Sequence, residues 1–434
     1  MVKDEIGHLM KRLILLLLLA LLPLSHGQAQ EDTTISPALL EEIESIESQV
    51  EAIRGLSQLT PVIRRFPTVE EARAFIAELY ERELTDEIVF EVEQFYRAFE
   101  FIPADFDYFD FFIELQQSQV AGFYYFDTQE MNTLLLSGQP LGDSLPAFEQ
   151  ITYAHEYTHA LQDQHFDADT LLNSIEDTDA AMAGLALVEG DATYVMQLYT
   201  ADLIERRPGV VFQILGLSLS GTGEMPENTP PVIEAELLMP YLSGLNFVTA
   251  LVNEGGYALV NEAFTSRLPQ STEHILHPQT YLSGDNPVEV TLKPMDEIFG
   301  ADWVMAGEST LGEWYLGQYL SGQISQREAE TAAAGWGGDR YRIYYNANAD
   351  EQAWVLKVAW DSPDELGEFV EALDVFQSTR FPDAEVYNGE DGGTCYVDNA
   401  IGETLCWLGD GPQTLMLTYA PDFDTANNII LAQR

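Results

Sequence analysis

Basic residues are scarce in this sequence. It has 19 lysines and arginines against 72 aspartates and glutamates, which gives its 434 residues a formal net charge of −53. No lysine or arginine lies between Arg97 and Arg206. Because nucleic acids and anionic membrane surfaces are bound through Lys and Arg, this composition argues against both as partners. Salt reduces self-repulsion of this kind, so we expect a salt-rich habitat and a melting temperature that rises with NaCl.

Long apolar runs are also lacking, apart from one near the N-terminus. Residues 13–24, L-I-L-L-L-L-L-A-L-L-P-L, follow a basic pair at 11–12 and precede small residues at positions 27 and 29. That run is shorter than the roughly 20 residues that span a bilayer, so the pattern predicts a cleaved signal peptide over residues 1–29. The mature chain is then secreted or extracytoplasmic, in the periplasm or at the cell exterior, without stable membrane insertion.

Cysteine is limited to two residues, Cys395 and Cys406, with the turn-like segment D-N-A-I-G-E between them. In an exported protein, two cysteines this close in sequence predict a local disulfide across a hairpin. The alternative is a pair of buried free thiols.

Histidine is the last scarce residue, and its distribution is informative. The five histidines beyond the predicted signal peptide fall into two groups, at 155, 159 and 165 and at 274 and 277. The first group lies in Y-A-H-E-Y-T-H-A-L-Q-D-Q-H-F, which contains the pattern H-E-x-x-H. Helical residues four apart share a face, so His155 and His159 can bind one metal ion. Zinc is the ion expected with this pattern, and Glu156 is placed to act as general base on a water in an open coordination position.

The third ligand has two candidates. His165 has the spacing of the metzincin pattern, but Gln162 stands where that pattern has a turning glycine. If the helix continues, His165 lies about 9 Å beyond His159 along the axis and is rotated by about 240°, out of reach of the same ion. Glu189, in the apolar segment A-L-V-E-G-D-A, is the favoured candidate, because an inward carboxylate there needs a cation. Gly190 beside it would let the two helices approach closely.

H-E-Y-T-H on one helix and E-G-D-A on the next resemble the gluzincin zinc metallopeptidases, which have a thermolysin-like site. The resemblance covers residues 144–199. It implies that His155, His159 and Glu189 are zinc ligands and that Glu156 is the general base. It also implies that the hairpin before the first helix offers a strand edge on which an extended peptide substrate lies.

The sequence departs from the thermolysin-like pattern around the third ligand. Val188 and Thr193 occupy the positions at which that pattern has Asn and Asp. We therefore expect Asp163 and Asp191 to orient a ligand histidine instead.

The resemblance to gluzincins also implies a Tyr or His side chain that donates a hydrogen bond to the tetrahedral intermediate. The segment that offers such donors is S-T-E-H-I-L-H-P-Q-T-Y, residues 271–281. His277 is the preferred candidate, because Pro278 fixes the backbone beside it. The alternative is that both histidines of this segment pack locally. Tyr241 and Tyr194 are weaker candidates.

The fold class expected from these patterns is α+β. We expect a mostly helical, zincin-like domain over residues 30–334, containing a small antiparallel hairpin or sheet. A strand-rich α+β unit over 335–434 begins at the break G-W-G-G-D-R. Residues 36–59 are predicted to form a solvated, Glu-rich helix. Segments such as V-A-G-F-Y, L-H-P and G-W-G-G-D-R also resemble an uncharacterised family of exported bacterial proteins, from which no function follows.

The function expected from the sequence is that of an exported, zinc-dependent peptidase acting on peptide or protein substrates. One alternative is a metzincin-like peptidase that uses His165 as third ligand. Another is a non-catalytic secreted binding or envelope protein on a zincin-like fold. The substrate and the oligomeric state do not follow from the sequence.

Overall fold

The computed structural model describes residues 35–119, 121–126, 128–136, 141–218, 225–295, 297–389 and 392–434. The predicted signal peptide, 1–29, lies outside these residues. Within them the chain combines 15 helices with a three-stranded and a seven-stranded sheet. The predicted α+β fold class is therefore confirmed.

The first part of the chain builds a small sheet among helices. Its elements are α1 (Pro37–Arg54), β1 (Ile63–Arg65), α2 (Val69–Glu83), α3 (Asp86–Ala98), α4 (Tyr108–Gln119), β2 (Gly122–Tyr125), β3 (Glu130–Thr133) and α5 (Ala147–Phe166). Strands β2 and β3 form the expected antiparallel hairpin, and β1 adds to the sheet as a parallel partner of β3. The strand order β1-β3-β2 leaves β2 at an edge, and β2 packs against α5.

Helix α1 is not the solvated helix that its glutamates suggest. Ser36 accepts a hydrogen bond from the backbone N–H of Leu39 at its start, and Gly55 ends it with a φ of 74°. One face is buried; its buried residues are Leu39, Ile43, Ile46, Glu47, Val50 and Arg54. The prediction was wrong because apolar residues at helical spacing are interleaved with the charged ones.

The middle of the chain is helical. Its elements are α6 (Ala168–Ser174), α7 (Thr178–Arg206), α8 (Val210–Ser218), α9 (Pro231–Thr265), α10 (Thr272–Leu276) and α11 (Pro278–Ser283). Helix α7 is buried along most of its length. Helix α9 is broken at Gly256, where φ is 66°. Among the described residues, α9 alone is long and apolar enough to cross a membrane, and 44% of its most apolar window is buried within the protein.

The last part of the chain forms the larger sheet. Its elements are β4 (Trp303–Ser309), α12 (Gly312–Ser321), α13 (Gln326–Ala333), β5 (Trp336–Asn346), β6 (Glu351–Trp360), α14 (Pro363–Arg380), β7 (Glu385–Asn388), β8 (Thr394–Asp398), β9 (Glu403–Gly409), β10 (Thr414–Ala420) and α15 (Phe423–Gln433). The strands are antiparallel in the order β4-β5-β6-β10-β9-β8-β7. Cys395 on β8 and Cys406 on β9 are paired residues and form the predicted disulfide.

This sheet begins before residue 335, where the sequence predicts a boundary. Strand β4 lies at its edge, and α12 and α13 connect it to β5. The largest hydrophobic core contains residues from Val69 to Leu417, so it joins the helices before the predicted boundary to the sheet after it.

Candidate metal centre

Two long helices bring three ligand-type side chains together. His155 and His159 lie one turn apart on α5, and their Nε2 atoms are 3.0 Å from each other. Glu189 on α7 places one carboxylate oxygen 3.1 Å from Nε2 of His155 and the other 3.7 Å from Nε2 of His159. All three residues are at most 2% exposed. Within the described residues, this is the group of histidines and carboxylates that could hold a metal ion. We call it the His-His-Glu cluster.

Two glycines allow helix α7 to pack closely against helix α9. A Cβ atom at Gly190 would lie 2.3 Å from the backbone of Gly244 on α9, and one at Gly244 would lie 2.1 Å from the carbonyl oxygen of Ala186. The close approach expected at Gly190 is therefore made to α9 rather than to α5. It fixes the turn of α7 that carries Glu189.

Burial governs the electrostatics of the cluster. Desolvation lowers the pKa of His155 to about 4. It also lowers the pKa of His159 to about 4, although Glu189 acts in the opposite direction. Desolvation raises the pKa of Glu189 to about 7, and His159 partly offsets this. Both imidazoles are thus neutral around pH 7, which is the form that binds metal.

Gln162 determines which nitrogen of His159 carries the proton. The amide Nε2 of Gln162 donates to the carbonyl oxygen of Val188 at 2.9 Å and to Asp191 at 3.0 Å. Its Oε1 therefore faces Nδ1 of His159, 2.9 Å away. An amide oxygen can only accept a hydrogen bond, so Nδ1 of His159 carries the hydrogen and donates it. In the neutral imidazole the lone pair then lies on Nε2, which points into the cluster.

The partners of this glutamine differ from those predicted. Asp191 is linked to His159 by hydrogen bonds through Gln162, and it is itself held by Arg54. Its charge also acts to raise the pKa of His159. Asp163 does not orient a ligand, because it accepts hydrogen bonds from Tyr124 and Gln129. The contacts of Gln162 and Arg54 were not predicted from the sequence. Gln162 was considered there only because the metzincin pattern has a glycine at that position, and no sequence pattern connects Arg54 with the motif.

Glu156 lies between the cluster and strand β2. It is fully buried, and a Cβ atom at Gly122 of β2 would lie 3.1 Å from its Cγ. Burial raises the pKa of Glu156 well above its usual value, the charge of Glu189 adds to this, and the backbone of Tyr124 acts in the opposite direction. Its two carboxylate oxygens have no partner of full hydrogen-bond geometry among the described residues.

Tyr241 of α9 borders the cluster. Its ring stacks near that of His155, with centroids 6.1 Å apart. Burial, followed by the charges of Glu189 and Glu156, raises its pKa well above the usual value for tyrosine. The phenol is therefore a neutral donor group close to both carboxylates.

The contacts of His277 are with residues outside the His-His-Glu cluster. This histidine ends α10, its side chain is 45% exposed, and its Nε2 lies 2.8 Å from a carboxylate oxygen of Glu313. The hydrogen bond with Glu313 is the main cause of a raised pKa for His277. None of these contacts involves the His-His-Glu cluster, and the role of His277 as oxyanion donor stays a prediction.

His165 is also outside the cluster. Helix α5 continues unbroken to Phe166, as the lack of a glycine at position 162 suggests. Nε2 of His165 lies 2.7 Å from the carbonyl oxygen of Ser57. The geometry thus groups Glu189, and not His165, with the two motif histidines.

Residues 302–429 match a family described as "Domain of unknown function (DUF8575)", which covers the larger sheet and not the His-His-Glu cluster. No curated protein and no solved structure matches the chain. These comparisons therefore give no information on the His-His-Glu cluster.

Proposed function

We propose that this protein is a zinc-dependent peptidase with a gluzincin-type site. The observation that carries the proposal is the convergence of His155, His159 and Glu189 in a buried cluster beside Glu156. Two imidazoles and one carboxylate are a known donor set for catalytic zinc, which keeps its remaining position open.

Unsatisfied buried atoms support the fit of a metal ion. Both carboxylate oxygens of Glu189 lack a hydrogen-bond partner among the described residues. The two facing Nε2 atoms of His155 and His159 cannot share a lone-pair position without a proton or cation between them. Leaving such groups buried and unpaired is costly, and a cation satisfies all three side chains at once.

The chain's own residues supply the remaining chemistry. Zinc, when bound, acts as a Lewis acid that lowers the pKa of a coordinated water. Glu156 would take a proton from that water as the water oxygen bonds to the carbonyl carbon of the peptide. It would pass the proton to the amine nitrogen as the C–N bond breaks. The hydroxyl of Tyr241 donates a hydrogen bond to the oxygen on which negative charge develops, the role predicted for His277.

Strand β2 is suited to hold the substrate. Among the described strands it pairs only with β3, and an extended peptide would bind along its other edge. Its first residue, Gly122, packs against Glu156. A peptide added to this edge would thus run past the proposed general base.

We further propose that the protein acts outside the cytoplasm on peptides or proteins. The disulfide between Cys395 and Cys406 and the leading apolar segment support an exported location. The strongly acidic composition makes nucleic acid an unsuitable partner.

The test compares metal content and proteolysis in four proteins made as residues 30–434. The wild type is expected to bind one zinc and to cleave fluorescein-labelled casein. Glu156→Gln should keep the zinc but lose about 10²–10⁴ in rate, because it removes only the base. Glu189→Ala should bind zinc at least about 100-fold more weakly, because it removes a ligand.

His165→Ala is the matched control, since it removes a histidine of the same helix that lies outside the cluster. It should keep both zinc and activity. Zinc lost in His165→Ala but kept in Glu189→Ala would reverse the ligand assignment. A zinc-loaded wild type that cleaves neither casein nor a mixed peptide library would instead favour a non-catalytic binding protein.

A further inference from the structure

We propose that Arg54, acting through Asp191 and Gln162, is a positioning residue for His159, and that helix α1 is thereby a structural part of the metal centre. This rests on the metal site of the proposed function. It extends that site to a helix that the motif does not contain.

The contacts form a continuous chain from α1 to the cluster. Nε of Arg54 lies 2.8 and 2.9 Å from the two carboxylate oxygens of Asp191. The oxygen at 2.9 Å also accepts from Nε2 of Gln162, at 3.0 Å. Oε1 of Gln162 is 2.9 Å from Nδ1 of His159. Arg54, Asp191 and Gln162 are each 0% exposed.

Among the described residues, Asp191 makes no direct hydrogen bond to the cluster. It follows Glu189 by two residues on α7, which rotates it by about 200° around the helix axis. Its only hydrogen-bonded route to His159 among the described residues therefore runs through the amide of Gln162. Val188 and Asp191 together take both protons of that amide, so the amide cannot turn its nitrogen towards His159.

Arg54 holds the carboxylate of Asp191 in its buried position. Its guanidinium lies over the ring of Tyr257, 4.7 Å from the centroid, and near that of Phe166, 5.8 Å from the centroid. An isolated carboxylate in such surroundings is strongly disfavoured, whereas a paired one is stable. If Arg54 is removed, Asp191 loses its counter-ion, and the orientation of Gln162 is no longer imposed.

The first test replaces Gln162 by leucine, with Gln150→Leu as the matched control. Gln150 is a buried glutamine of the same helix. Its hydrogen-bond partners among the described residues lie outside the cluster and are Leu145, Glu42, Tyr199 and Arg207. Gln162→Leu should weaken zinc binding by about 10–100-fold, the usual effect of losing a partner of a ligand histidine. Gln150→Leu should change zinc affinity by less than about twofold, even if it lowers the melting temperature more.

The readouts separate positioning from folding. Zinc affinity is measured by competition with a chromophoric chelator, and the visible absorption of the Co²⁺-substituted protein reports the ligand geometry. Melting temperature in EDTA gives the stability of the metal-free fold. The inference requires an altered Co²⁺ spectrum in Gln162→Leu and an unaltered one in Gln150→Leu.

The second test addresses Arg54 with a charge-balanced pair of substitutions. Arg54→Met combined with Asp191→Leu removes both buried charges and avoids an unpaired one. It should weaken zinc binding by about 10-fold or more, because Gln162 loses its donor contact to Asp191. Arg64→Met combined with Glu47→Gln is the control, since it removes another ion pair of α1 that has no contact with Gln162.

The outcomes distinguish this inference from the proposed function. A wild type that binds no zinc overturns both. A wild type that binds zinc, together with Gln162→Leu or Arg54→Met/Asp191→Leu of unchanged affinity and Co²⁺ spectrum, overturns this inference alone.

Discussion

Tyr241 shares its surroundings with three groups of the candidate metal centre. Its ring lies beside His155, and the charges of Glu189 and Glu156 add to the effect of burial in raising its pKa. A phenol held neutral in this way keeps its proton over the whole working pH range. It can therefore donate to an oxygen that gains negative charge, and the benefit is largest where water is excluded.

Replacing Tyr241 by phenylalanine should separate binding from catalysis. The variant keeps the ring and loses only the hydroxyl, so we expect unchanged zinc content and a kcat lower by about 10²–10³ on a quenched fluorescent peptide. His277→Ala is the matched control for the role that the sequence predicts, and it should leave kcat within about twofold. A loss of kcat in His277→Ala with none in Tyr241→Phe would restore the prediction made from the sequence.

For single residues, the sequence predicts well which side chains of one helix turn lie together. It predicts poorly which residues far apart in the sequence contact each other. His155, Glu156 and His159 are recognisable because one helix turn determines their geometry. Tyr241 was only a weaker candidate, because no spacing rule links α9 to the motif. Arg54 and Asp191 pair across 137 positions, a distance over which a pattern carries no information on contact.

Among the elements, α7 and α9 cross with almost no space between their backbones. Gly244 of α9 faces the backbone of Ala186, and Gly190 faces that of Gly244. These glycines lie near the turn that carries Glu189, so the distance between the helices determines where this carboxylate lies. An added methyl group here meets backbone atoms, which cannot rotate away.

Gly244→Ala should therefore damage both stability and the metal centre. We expect a loss of about 2–4 kcal/mol in the free energy of unfolding, measured by urea denaturation in EDTA, and weaker zinc binding. Gly367→Ala is the control, because this glycine of α14 has no atom within 4 Å of an added Cβ. There the helix should gain about 0.5–1 kcal/mol. Equal stability of the two variants would contradict the tight crossing.

The elements that the sequence predicts correctly are those with strong local patterns. The β2–β3 hairpin, helices α5 and α7 and the disulfide-linked strands β8 and β9 are of this kind. The burial of α1 was missed because its apolar face is masked by glutamates in a composition dominated by acid. The role of β4 as a sheet edge depends on pairing with β5, and pairing partners do not follow from one strand's sequence.

The whole molecule carries two kinds of negative charge with different physics. Most of the acidic residues that the structure describes are exposed or half-buried, and salt screens their repulsion. A few carboxyl groups are instead buried, and desolvation raises the pKa of Glu236 to about 7, of Asp339 to about 7 and of Glu273 to about 8. Charges near Glu273, first that of Asp361, add to its shift.

These raised pKa values give the stability a definite pH dependence. Each group binds its proton more tightly in the folded chain than in the unfolded chain, where its pKa is near 4. Their contribution is therefore complete below about pH 4 and is lost as the pH rises towards 8. Glu273→Gln remains neutral at every pH, so its stability should fall less between pH 5.5 and 8.5 than that of the wild type.

Salt and pH should then act separately on the melting temperature of residues 30–434 in EDTA. Raising NaCl from 0.1 to 2 M should raise the melting temperature by several degrees at both pH 5.5 and pH 8.5, because surface repulsion is screened. The fall from pH 5.5 to 8.5 should persist at high salt, because it comes mainly from desolvation, which ions in solution do not relieve. A melting temperature that does not respond to NaCl would overturn the expected salt dependence. A pH effect abolished by salt would show that surface repulsion, rather than the buried carboxyl groups, causes it.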